Sequence, residues 1–494
     1  MSKQRLEVRT GSYLDSVTLM QVSRRVGSLP GVASALVAMA TDLNLELARD
    51  MGFDVPRVSP NDMLLAVEAT DDDALDRAFV EAEAALTTGP PADVSLAGLP
   101  VPVTVRAAAR GSGASVALIS TPGEHAFADA VDAIDAGLHT MVFSDNVPVD
   151  QEVALKDYAA RAGVLLMGPD CGTAVIGGVG LGFANVVRPG PVGIVAASGT
   201  GAQHLMSLLD GVDVGISHCL GVGGRDLGAE VAGRSTLRAM DLLAADPATE
   251  QIVVVSKPPA EQVEHAVHAH AESLDKPVRF GVLGQAAGTL TDTARETVEA
   301  LGRRWVEPER RTGAVTSARE GGSLLGLFSG GTLCDEAMIL VSAELGPVMS
   351  NIPLRPEWSL DDALQPPRQP CHTMVDLGDD RLTRGRPHPM IDQTIRVEML
   401  LRAVDDPATG VLLVDVVLGL GAADDPAGEL ADAIRKATET GLPVVASLIG
   451  TRDDPQGLTR QMTRLRDAGA WVFGSNAAAA RHAVHLLHSE KAAR

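Results

Sequence analysis

The second half of this chain contains a duplicated pattern, and this duplication constrains the fold more than any other feature. Each copy has a short apolar strand, a turn of Gly, Ser and Thr, and a helix. The copies lie at Pro191–Met206 (PVGIVAASGTGAQHLM) and Gly326–Met338 (GLFSGGTLCDEAM). In both copies a Leu-rich helix later precedes Asp-Pro-Ala-Thr and an apolar strand, at 246–255 and 406–414. Two matching series in the same order predict two domains built on one plan.

The turn between strand and helix has the chemistry of an anion site. Free backbone N–H groups and hydroxyls point at one spot, where the positive end of the helix dipole also lies. One such turn is a weak signal, because Ser-Gly and Gly-Thr turns also connect strands and helices without a ligand. Its repetition strengthens the interpretation. The predicted phosphate- or anion-binding residues in the two turns are Ser198, Gly199, Thr200, Gly201, Ser329, Gly330, Gly331 and Thr332.

Length, composition and charge narrow the class of protein. The 494 residues are too many for one core and predict several domains. With 45% hydrophobic residues, 3% aromatics and 50 glycines, the chain has the profile of an α/β protein. A net charge of −23 argues against nucleic acid or an anionic membrane as a partner. A small anionic substrate would therefore need local dipoles and a few placed basic side chains.

The expected location is the cytoplasm. No apolar run approaches the ~18 residues of a membrane helix. The four cysteines are far apart and form no CxxC pair, and the start of the sequence has no signal-peptide pattern. We therefore expect a reduced, cytoplasmic protein without a metal site. The nearest acidic candidates for a metal, Asp376 and Asp415, come without a ligand set.

The order of predicted elements gives an α/β fold with four domains. Strands and helices alternate from about residue 114 onward at the spacing of a parallel, doubly wound sheet. Gly and Pro content predicts a linker at 87–94, and Arg106–Gly113 is a second candidate linker. The predicted domains are a small α+β (ferredoxin-like) module at 1–88, a Rossmann-like domain at 110–187, and two flavodoxin-like domains at 190–312 and 320–490.

Motifs across the chain resemble the acyl-CoA synthetase superfamily. Segment Ala133–Thr173, together with GIVAASGTG, CLGVGG and DPATEQIVVV, resembles the alpha subunit of succinyl-CoA synthetase. The second repeat, led by GLFSGGTL, is similar to the carboxyl-terminal ligase domain of the beta subunit. With DLGDDRLTRGRPHPMID at 376–392, the whole chain resembles the FdrA family of acyl-CoA-synthetase-like proteins. The resemblance implies that the Rossmann-like domain is of the CoA-binding type and that the two flavodoxin-like domains are of the ligase type. It also implies that both Gly turns form one composite anion site, since in the synthetase two such helix ends hold a phosphohistidine.

The chain departs from the synthetase at the residues of phosphoryl transfer. In place of the phosphohistidine turn it has Gly284-Gln285-Ala286-Ala287-Gly288, and an amide cannot accept a phosphoryl group. The Glu that steadies that histidine is replaced by Ser256-Lys257-Pro258-Pro259. The Gly-rich CoA loop has no counterpart before Ala114, and an ATP-grasp domain is missing. These departures count against nucleotide chemistry and make CoA a doubtful ligand.

Three functions stay open, and the residues favour the first. FdrA-family members are implicated, with companion subunits, in oxamate carbamoyltransfer, in which phosphate cleaves oxalurate into oxamate and carbamoyl phosphate. Such phosphate-dependent carbamoyl or acyl transfer needs no phosphohistidine, and we expect an oligomer with companion subunits and phosphate as a substrate. The alternatives are a nucleotide-dependent acyl-CoA synthetase of the succinate–CoA ligase kind and a non-catalytic scaffold paralogue.

The block at 376–392 supplies the basic groups that the acidic chain otherwise lacks. Arg384 and Arg386 can bind phosphate or carboxylate in a bidentate manner. His388, between two prolines, is held in an extended loop as a ligand or general base. Alternatively, the block is a salt-bridge knot that pins a domain interface. We predict His388 and Arg386 as catalytic, Arg384 as anion-binding, and the following as substrate-binding: Asp376, Asp392, Gly223, Gly224 and Cys171 (the last also interpretable as a packing residue).

Overall fold

The computed structural model describes residues 2–87, 102–284, 288–365, 371–383 and 386–492, apart from Tyr13, Asp15 and Arg57. The described residues form two compact units. The first unit comprises Met1–Val103 with Thr383–Pro387, and the second comprises Thr104–Leu382 with His388–Arg494. Most of the linker predicted at 87–94 lies outside the described residues.

The first unit is an α+β sandwich, as its alternating pattern predicted. Its antiparallel sheet has the strand order β1-β3-β2. Leu19 and Val22 of the first helix pack on Leu65 and Val67 of the central strand, which is buried on this face. The elements are β1 (Lys3–Arg9), α1 (Ser16–Gly27), β2 (Val32–Met39), α2 (Asp42–Asp50), β3 (Met63–Ala69) and α3 (Asp72–Thr87).

The second unit begins with a helix, α4 (Val105–Ser112), where the sequence predicted a linker. That prediction is wrong because the alanine-rich run is capped at both ends. Thr104 Oγ1 accepts the N–H of Ala107 at 3.1 Å, and Gly113 ends the helix with a φ of +63°. Arg106 also forms ion pairs with Asp132 and Asp135, which attach the helix to its neighbour.

A small Rossmann-like sheet follows, with parallel strands in the order β4-β5-β6. Its elements are β4 (Val116–Ile119), α5 (Gly123–Asp135), β5 (His139–Val142), α6 (Val149–Ala162) and β6 (Leu166–Met167). The next two strands, β7 (Thr173–Ile176) and β8 (Val179–Gly182), fall inside the predicted Rossmann-like segment but pair with the following sheet. The chain thus passes from one sheet to the next within that segment.

The third sheet has six strands in the order β12-β11-β9-β10-β7-β8, and the first four are parallel. Val192 and Ile194 of its central strand are fully buried, together with Leu205 of the helix that follows. The added elements are β9 (Pro189–Ala196), α7 (Gly199–Gly211), β10 (Ile216–Gly221), α8 (Arg234–Ala245), β11 (Gln251–Ser256), α9 (Glu261–Glu272), β12 (Val278–Val282) and α10 (Leu290–Ala300).

The fourth sheet has seven strands in the order β13-β19-β18-β17-β14-β16-β15, parallel except for the short β13. Its elements are β13 (Arg310–Arg311), β14 (Ser323–Phe328), α11 (Gly331–Leu345), β15 (Val348–Ser350), a 3₁₀ turn (Pro356–Trp358), β16 (His372–Asp376), α12 (Asp380–Thr383), α13 (Thr394–Asp405), β17 (Thr409–Val417), α14 (Pro426–Glu439), β18 (Val444–Ile449), α15 (Leu458–Asp467), β19 (Trp471–Phe473) and α16 (Asn476–Ala492).

The two larger sheets follow one plan. The order β12-β11-β9-β10 in one sheet corresponds strand for strand to β18-β17-β14-β16 in the other. Each repeated Gly turn follows a central strand, β9 or β14, and opens a helix, α7 or α11. The sequence duplication therefore reflects a structural one.

Buried polar contacts join these two halves. Asn185 Nδ2 donates to Leu418 O at 3.0 Å and to Asp454 Oδ2 at 2.8 Å. Gln203 Nε2, on α7, donates to the same Leu418 carbonyl at 3.3 Å. Because buried polar groups of this kind need specific partners, they fix how the helices at the interface meet.

Candidate functional site

Two loops meet where α7 and α11 begin. We call Ser198–Gly201 the first loop and Ser329–Thr332 the second loop. Ser198 Oγ donates a hydrogen bond to Thr332 Oγ1 across 2.6 Å. A Cβ atom built on Gly330 would lie only 2.6 Å from Thr200 Oγ1, so glycine is required at this approach. The structure thus brings the two predicted loops into direct contact.

Some backbone N–H groups of the first loop remain available to a ligand. Ser198 is the N-cap of α7, and its Oγ accepts the N–H of Gly201 at 2.9 Å. The N–H groups of Gly199 and Thr200 belong to the first helical turn and have no acceptor within the helix. Gly199 is exposed and Thr200 is partly exposed. This helix end can therefore donate to a ligand.

The second loop is already held by a carboxylate. Asp415, on β17, accepts the N–H and Oγ–H of Ser329 at 2.8 and 3.0 Å, and the N–H of Gly330 at 3.0 Å. Asp415 also pairs with buried Arg396, whose Nη2 lies 3.1 Å from Oδ1. Burial raises the pKa of Asp415, while Arg396 and these donors oppose the rise. The predicted anion-binding roles of Ser329 and Gly330 therefore do not fit their geometry, which leaves Gly331 and Thr332.

A lysine missed as a site residue lies beside the second loop. Lys257 Nζ is 3.5 Å from the position of a Cβ atom on Gly331 and pairs with Asp335 Oδ2 at 2.7 Å. Burial alone would lower the pKa of Lys257, but Asp335 and Asp376 outweigh it and raise the pKa. The sequence signal for Lys257 was a cation at a position where the synthetases have a carboxylate.

Asp376 ends β16 against the same glycine. Its Oδ1 accepts the N–H of Gly378 at 3.0 Å, and its Oδ2 lies 2.7 Å from the position of a Cβ atom on Gly331. Among the residues that the structure describes, Oδ2 has no hydrogen-bond partner, although Asp376 is only 6% exposed. Burial raises the pKa of Asp376 to about 7, against the lowering effects of the Gly378 N–H and Lys257.

His388 converges on the same place from the loop before α13. A Cβ atom on Gly378 would lie 2.7 Å from His388 Nε2 and 3.2 Å from Asp376 Oδ1. His388 Nδ1 accepts the N–H of Met390 at 3.2 Å, so the neutral ring carries its proton on Nε2. Burial, with Arg396 nearby, lowers the pKa of His388 to about 4. This geometry makes Nε2 a donor at neutral pH, which fits the predicted role of a ligand-binding group better than that of a general base.

The described residues of the 376–392 block that belong to the second unit also include Asp392 and Arg381, which have local partners. Arg384 lies outside the described residues, and Arg386 is exposed and belongs to the first unit. Asp392 Oδ1 accepts the N–H of Thr394, the first residue of α13, at 2.7 Å. Arg381 pairs with Asp379, two residues away in the sequence, at 2.9 Å and also donates to Asn351 O at 2.6 Å.

The predicted substrate residues Cys171, Gly223 and Gly224 lie in the loops that follow β6 and β10. Cys171 is buried, its Sγ donates to Gly221 O at 3.3 Å, and burial raises the pKa of its thiol to about 12. Gly223 has a φ of +88°, and a Cβ atom there would lie 2.4 Å from Pro169 O. These contacts are packing contacts between loops, which agrees with the packing interpretation of Cys171.

One aromatic contact connects the Rossmann-like sheet with the site. The ring of Phe183 lies 5.8 Å from that of His388 and 5.9 Å from that of Phe143, which follows β5. The carboxyl end of the small sheet therefore borders the site through Phe143 and Phe183. The turn with Gln285, which occupies the phosphohistidine position of the resemblance, lies outside the described residues.

The described ranges contain neither a cluster of metal-binding side chains nor a membrane-spanning helix. No group of three or more His, Cys, Asp or Glu side chains there could hold a metal ion. Within the same ranges, no helix combines the length and the apolar character that crossing a bilayer requires.

Comparison with known proteins places the chain in a family. The CoA-ligase family matches residues 327–486, and the family described as AllF, heavy metal-associated domain, matches residues 1–95. An uncharacterized protein of Escherichia coli strain K12, YahF, is 35% identical over 501 residues, which cover 96% of each chain. The chain belongs to the YahF family. In this YahF-family chain, the second loop and Asp376 lie within the segment that matches the CoA-ligase family. The first loop lies in the other large sheet, whose strand order corresponds to that of the matched sheet.

More distant relatives are subunits of CoA ligases. The alpha subunit of ADP-forming succinate–CoA ligase from Aquifex aeolicus is 30% identical over 196 residues, 38% of this chain and 63% of that subunit. The alpha subunit of malate–CoA ligase from Methylorubrum extorquens is 27% identical over 41% of this chain and 75% of that subunit. A solved acetyl-coenzyme A synthetase from Ca. Korarchaeum cryptofilum is 18% identical, with a TM-score of 0.31 over 82% of this chain and 88% of that one. The chain thus has a CoA-ligase domain at 327–486, and about two fifths of it is similar to the alpha subunits of CoA ligases.

The heavy-metal description of the N-terminal match does not fit the side chains present. Residues 1–95 contain neither cysteine nor histidine. Soft and borderline heavy metals are bound in proteins mainly by thiolate and imidazole. This module therefore lacks the donor set of a heavy-metal site and keeps only the fold of such a domain.

Proposed function

We propose that this protein catalyses phosphate-dependent transfer of a carbamoyl or other acyl group, as a subunit of a cytoplasmic complex. One observation carries the proposal: the starts of α7 and α11 touch at Ser198–Thr332, with a cation and unpartnered polar atoms beside them. The carbamoyl case is cleavage of oxalurate by phosphate into oxamate and carbamoyl phosphate, which the FdrA resemblance suggests.

Phosphate binding is assigned to the donors that the fold leaves free. These are the N–H groups of Gly199, Thr200 and Gly331. The Lys257 ammonium, which pairs with Asp335, adds positive charge beside them. Helix N-termini carry partial positive charge and bind anions through backbone N–H groups. In a chain with a net charge of −23, such local donors must supply the attraction that the whole protein does not.

The chemistry then needs orientation and charge stabilisation. A phosphate oxygen attacks the carbamoyl carbon, a C–O bond forms, and the C–N bond to oxamate breaks. The proton that hydrogen phosphate loses balances the proton that the oxamate nitrogen gains. The N–H donors stabilise the oxyanion of the tetrahedral intermediate, and His388 Nε2–H is a further donor in its neutral form. No phosphohistidine takes part.

The test is product formation from oxalurate and phosphate by this protein with the products of its neighbouring genes. We expect carbamoyl phosphate, and we expect its formation to be lost in Lys257→Gln but kept in Lys436→Gln, an exposed lysine on α14. No carbamoyl phosphate from the complete mixture, with ADP formed instead from ATP, CoA and an acid, would refute carbamoyl transfer.

A nucleotide-dependent acyl-CoA synthetase is the second candidate. The match of residues 327–486 to the CoA-ligase family and the names of the ligase relatives support it. Against it stand Gln285 at the phosphohistidine position and Lys257 at the position of its supporting Glu. Consumption of ATP that depends on both CoA and an acid would favour this candidate over the first.

A further inference from the structure

We propose that Asp376 is the specificity-determining acid of the anion site: it binds the anion in its neutral form, through a hydrogen bond from Oδ2–H. Anion binding is then accompanied by uptake of one proton. This inference rests on the proposed function, because it concerns the same anion site. It adds to the proposed function that the protonation state of Asp376 decides whether the protein can bind the anion.

The geometry of the carboxyl group supports this role. Asp376 Oδ1 is anchored by the N–H of Gly378 at 3.0 Å, which leaves Oδ2 as the oxygen that faces the start of α11. Oδ2 has no hydrogen-bond partner among the described residues, and the side chain is nine-tenths buried. Oδ2 is not among the fully enclosed polar atoms of the described residues, so a ligand can reach this unpartnered oxygen and pair with it.

An ionised Asp376 would work against an anion at this place. Oδ2 lies 2.7 Å from the Cβ position of Gly331, whose N–H is one of the free donors. A carboxylate there would repel a bound oxyanion, whereas a carboxylic acid would donate to it. The anion and the ionised carboxylate therefore compete, so binding and protonation favour each other.

Other ionisable groups surround Asp376, and each has a defined state. Lys257 stays charged because its carboxylate neighbours raise its pKa, and His388 stays neutral because its pKa is about 4. Burial raises the pKa of the Cys334 thiol on α11, so it does not ionise near neutrality. The carboxylates that face this region are Asp335 on α11, paired with Lys257, Asp415 on β17, paired with Arg396, and Asp379, paired with Arg381.

Asp376 differs from these carboxylates in lacking a direct cation. Burial raises its pKa to about 7, so it changes its charge in the physiological range. Asp335 has the Lys257 ammonium at 2.7 Å, and Asp415 has the Arg396 guanidinium at 3.1 Å. Removing the negative charge of Asp335 is therefore the matched comparison for removing that of Asp376.

Sulfate is the probe, because its charge does not change from about pH 5.5 to about pH 9, unlike that of phosphate. In the full-length protein we expect sulfate affinity to be constant below pH 7 and to fall about tenfold per pH unit above it. Calorimetry in two buffers of different ionisation enthalpy should detect uptake of about one proton per sulfate above pH 7.

Two substitutions test whether Asp376 or Asp335 causes the pH dependence of sulfate binding. Asp376→Asn keeps a neutral donor at this position, so sulfate should bind with the same affinity at every pH and without proton uptake. Asp335→Asn should bind sulfate more tightly, since Lys257 loses its partner, and should keep the pH dependence. Far-ultraviolet circular dichroism of each variant establishes that it is folded.

The possible results have distinct meanings. Sulfate that binds wild-type protein without pH dependence would overturn the role of Asp376 and leave the anion site standing. A pH dependence that survives in Asp376→Asn, or disappears in Asp335→Asn alone, would also overturn it. No sulfate binding at any pH would instead contradict the proposed function itself.

Discussion

The two Gly loops share a sequence pattern but differ in what holds them. In the first loop, Ser198 caps its own helix and reaches across to Thr332. In the second, Ser329 turns away to Asp415, a buried carboxylate from the neighbouring strand that also takes the N–H of Gly330. A strand–Gly turn–helix pattern therefore predicts where the N–H donors point, but not whether another residue of the protein already accepts their hydrogen bonds.

This difference makes the site asymmetric. The first copy contributes the backbone donors of the first loop and Lys257, which follows β11. The second copy contributes the start of α11 and Asp376, which ends β16, so the two copies supply different side chains to the site. Substitutions in equivalent positions of the two copies should have unequal effects.

The largest effect is expected for Asp415→Ala. The change leaves the Arg396 charge buried without its partner and removes the acceptor of the second loop's N–H groups. Breaking a buried pair by removing one partner typically costs about 3–5 kcal/mol. Urea unfolding monitored by circular dichroism measures the loss. The exposed Asp432→Ala is the control, with an expected change within about 0.5 kcal/mol. A loss for Asp415→Ala as small as the control would show that the second loop does not depend on this carboxylate.

Gly330→Ala should have the next largest effect. Its Cβ atom would lie 2.6–2.8 Å from three atoms of Thr200, so the two helix starts must separate. Overpacking of this kind costs about 1–3 kcal/mol, and we expect sulfate binding to weaken with it. Thermal unfolding and calorimetry are the measurements.

Two variants accompany Gly330→Ala. Gly211→Ala, at the end of α7 with no atom within 4 Å of the new Cβ, should be neutral or slightly stabilising. Thr200→Gly added to Gly330→Ala should recover part of the stability if the clash is the cause. Equal stability of Gly330→Ala and Gly211→Ala would rule out a tight approach of the loops.

Lys257→Gln tests how much the positive charge beside the second loop contributes to stability and to anion binding. The side chain is 45% exposed, so loss of its pair with Asp335 should change the free energy of unfolding by less than about 1 kcal/mol. Sulfate affinity should nevertheless fall about tenfold, which corresponds to about 1.4 kcal/mol. Lys436→Gln should change neither quantity, and an unaltered sulfate affinity in Lys257→Gln would remove this lysine from the site.

Much of this fold could be predicted from the sequence, because periodicity and repetition are local signals. The duplicated pattern predicts the strands that contain Val192 and Leu324, the helices after them and the shared plan of the two sheets. The failure at Arg106–Gly113 has a physical reason. Gly and Arg suggested a linker, whereas Thr104 as N-cap and Gly113 as C-cap mark the ends of a short helix.

The site could be predicted only in part, because hydrogen-bond partners come from distant strands. Nothing near Ser329 in sequence indicates that Asp415, 86 residues later, takes its donors. The same holds for Asp376, whose raised pKa comes from burial in the folded protein. His388 was found through its position between prolines, but its protonated nitrogen depends on the Met390 N–H that it accepts.

The smallest effect is expected for Ser198→Ala, compared with Ser329→Ala in the equivalent position. Ser198→Ala removes an N-cap and the hydroxyl that bonds Thr332, and loss of a cap typically costs about 1 kcal/mol. Ser329→Ala removes one donor to Asp415 but leaves both backbone N–H bonds in place, so its cost should be smaller. Ser198→Thr, which keeps a capping hydroxyl, should restore most of the stability. If Ser329→Ala proved the more costly of the two in urea unfolding, the second loop would depend on its serine more than on its backbone, and the asymmetry between the loops would have to be reversed.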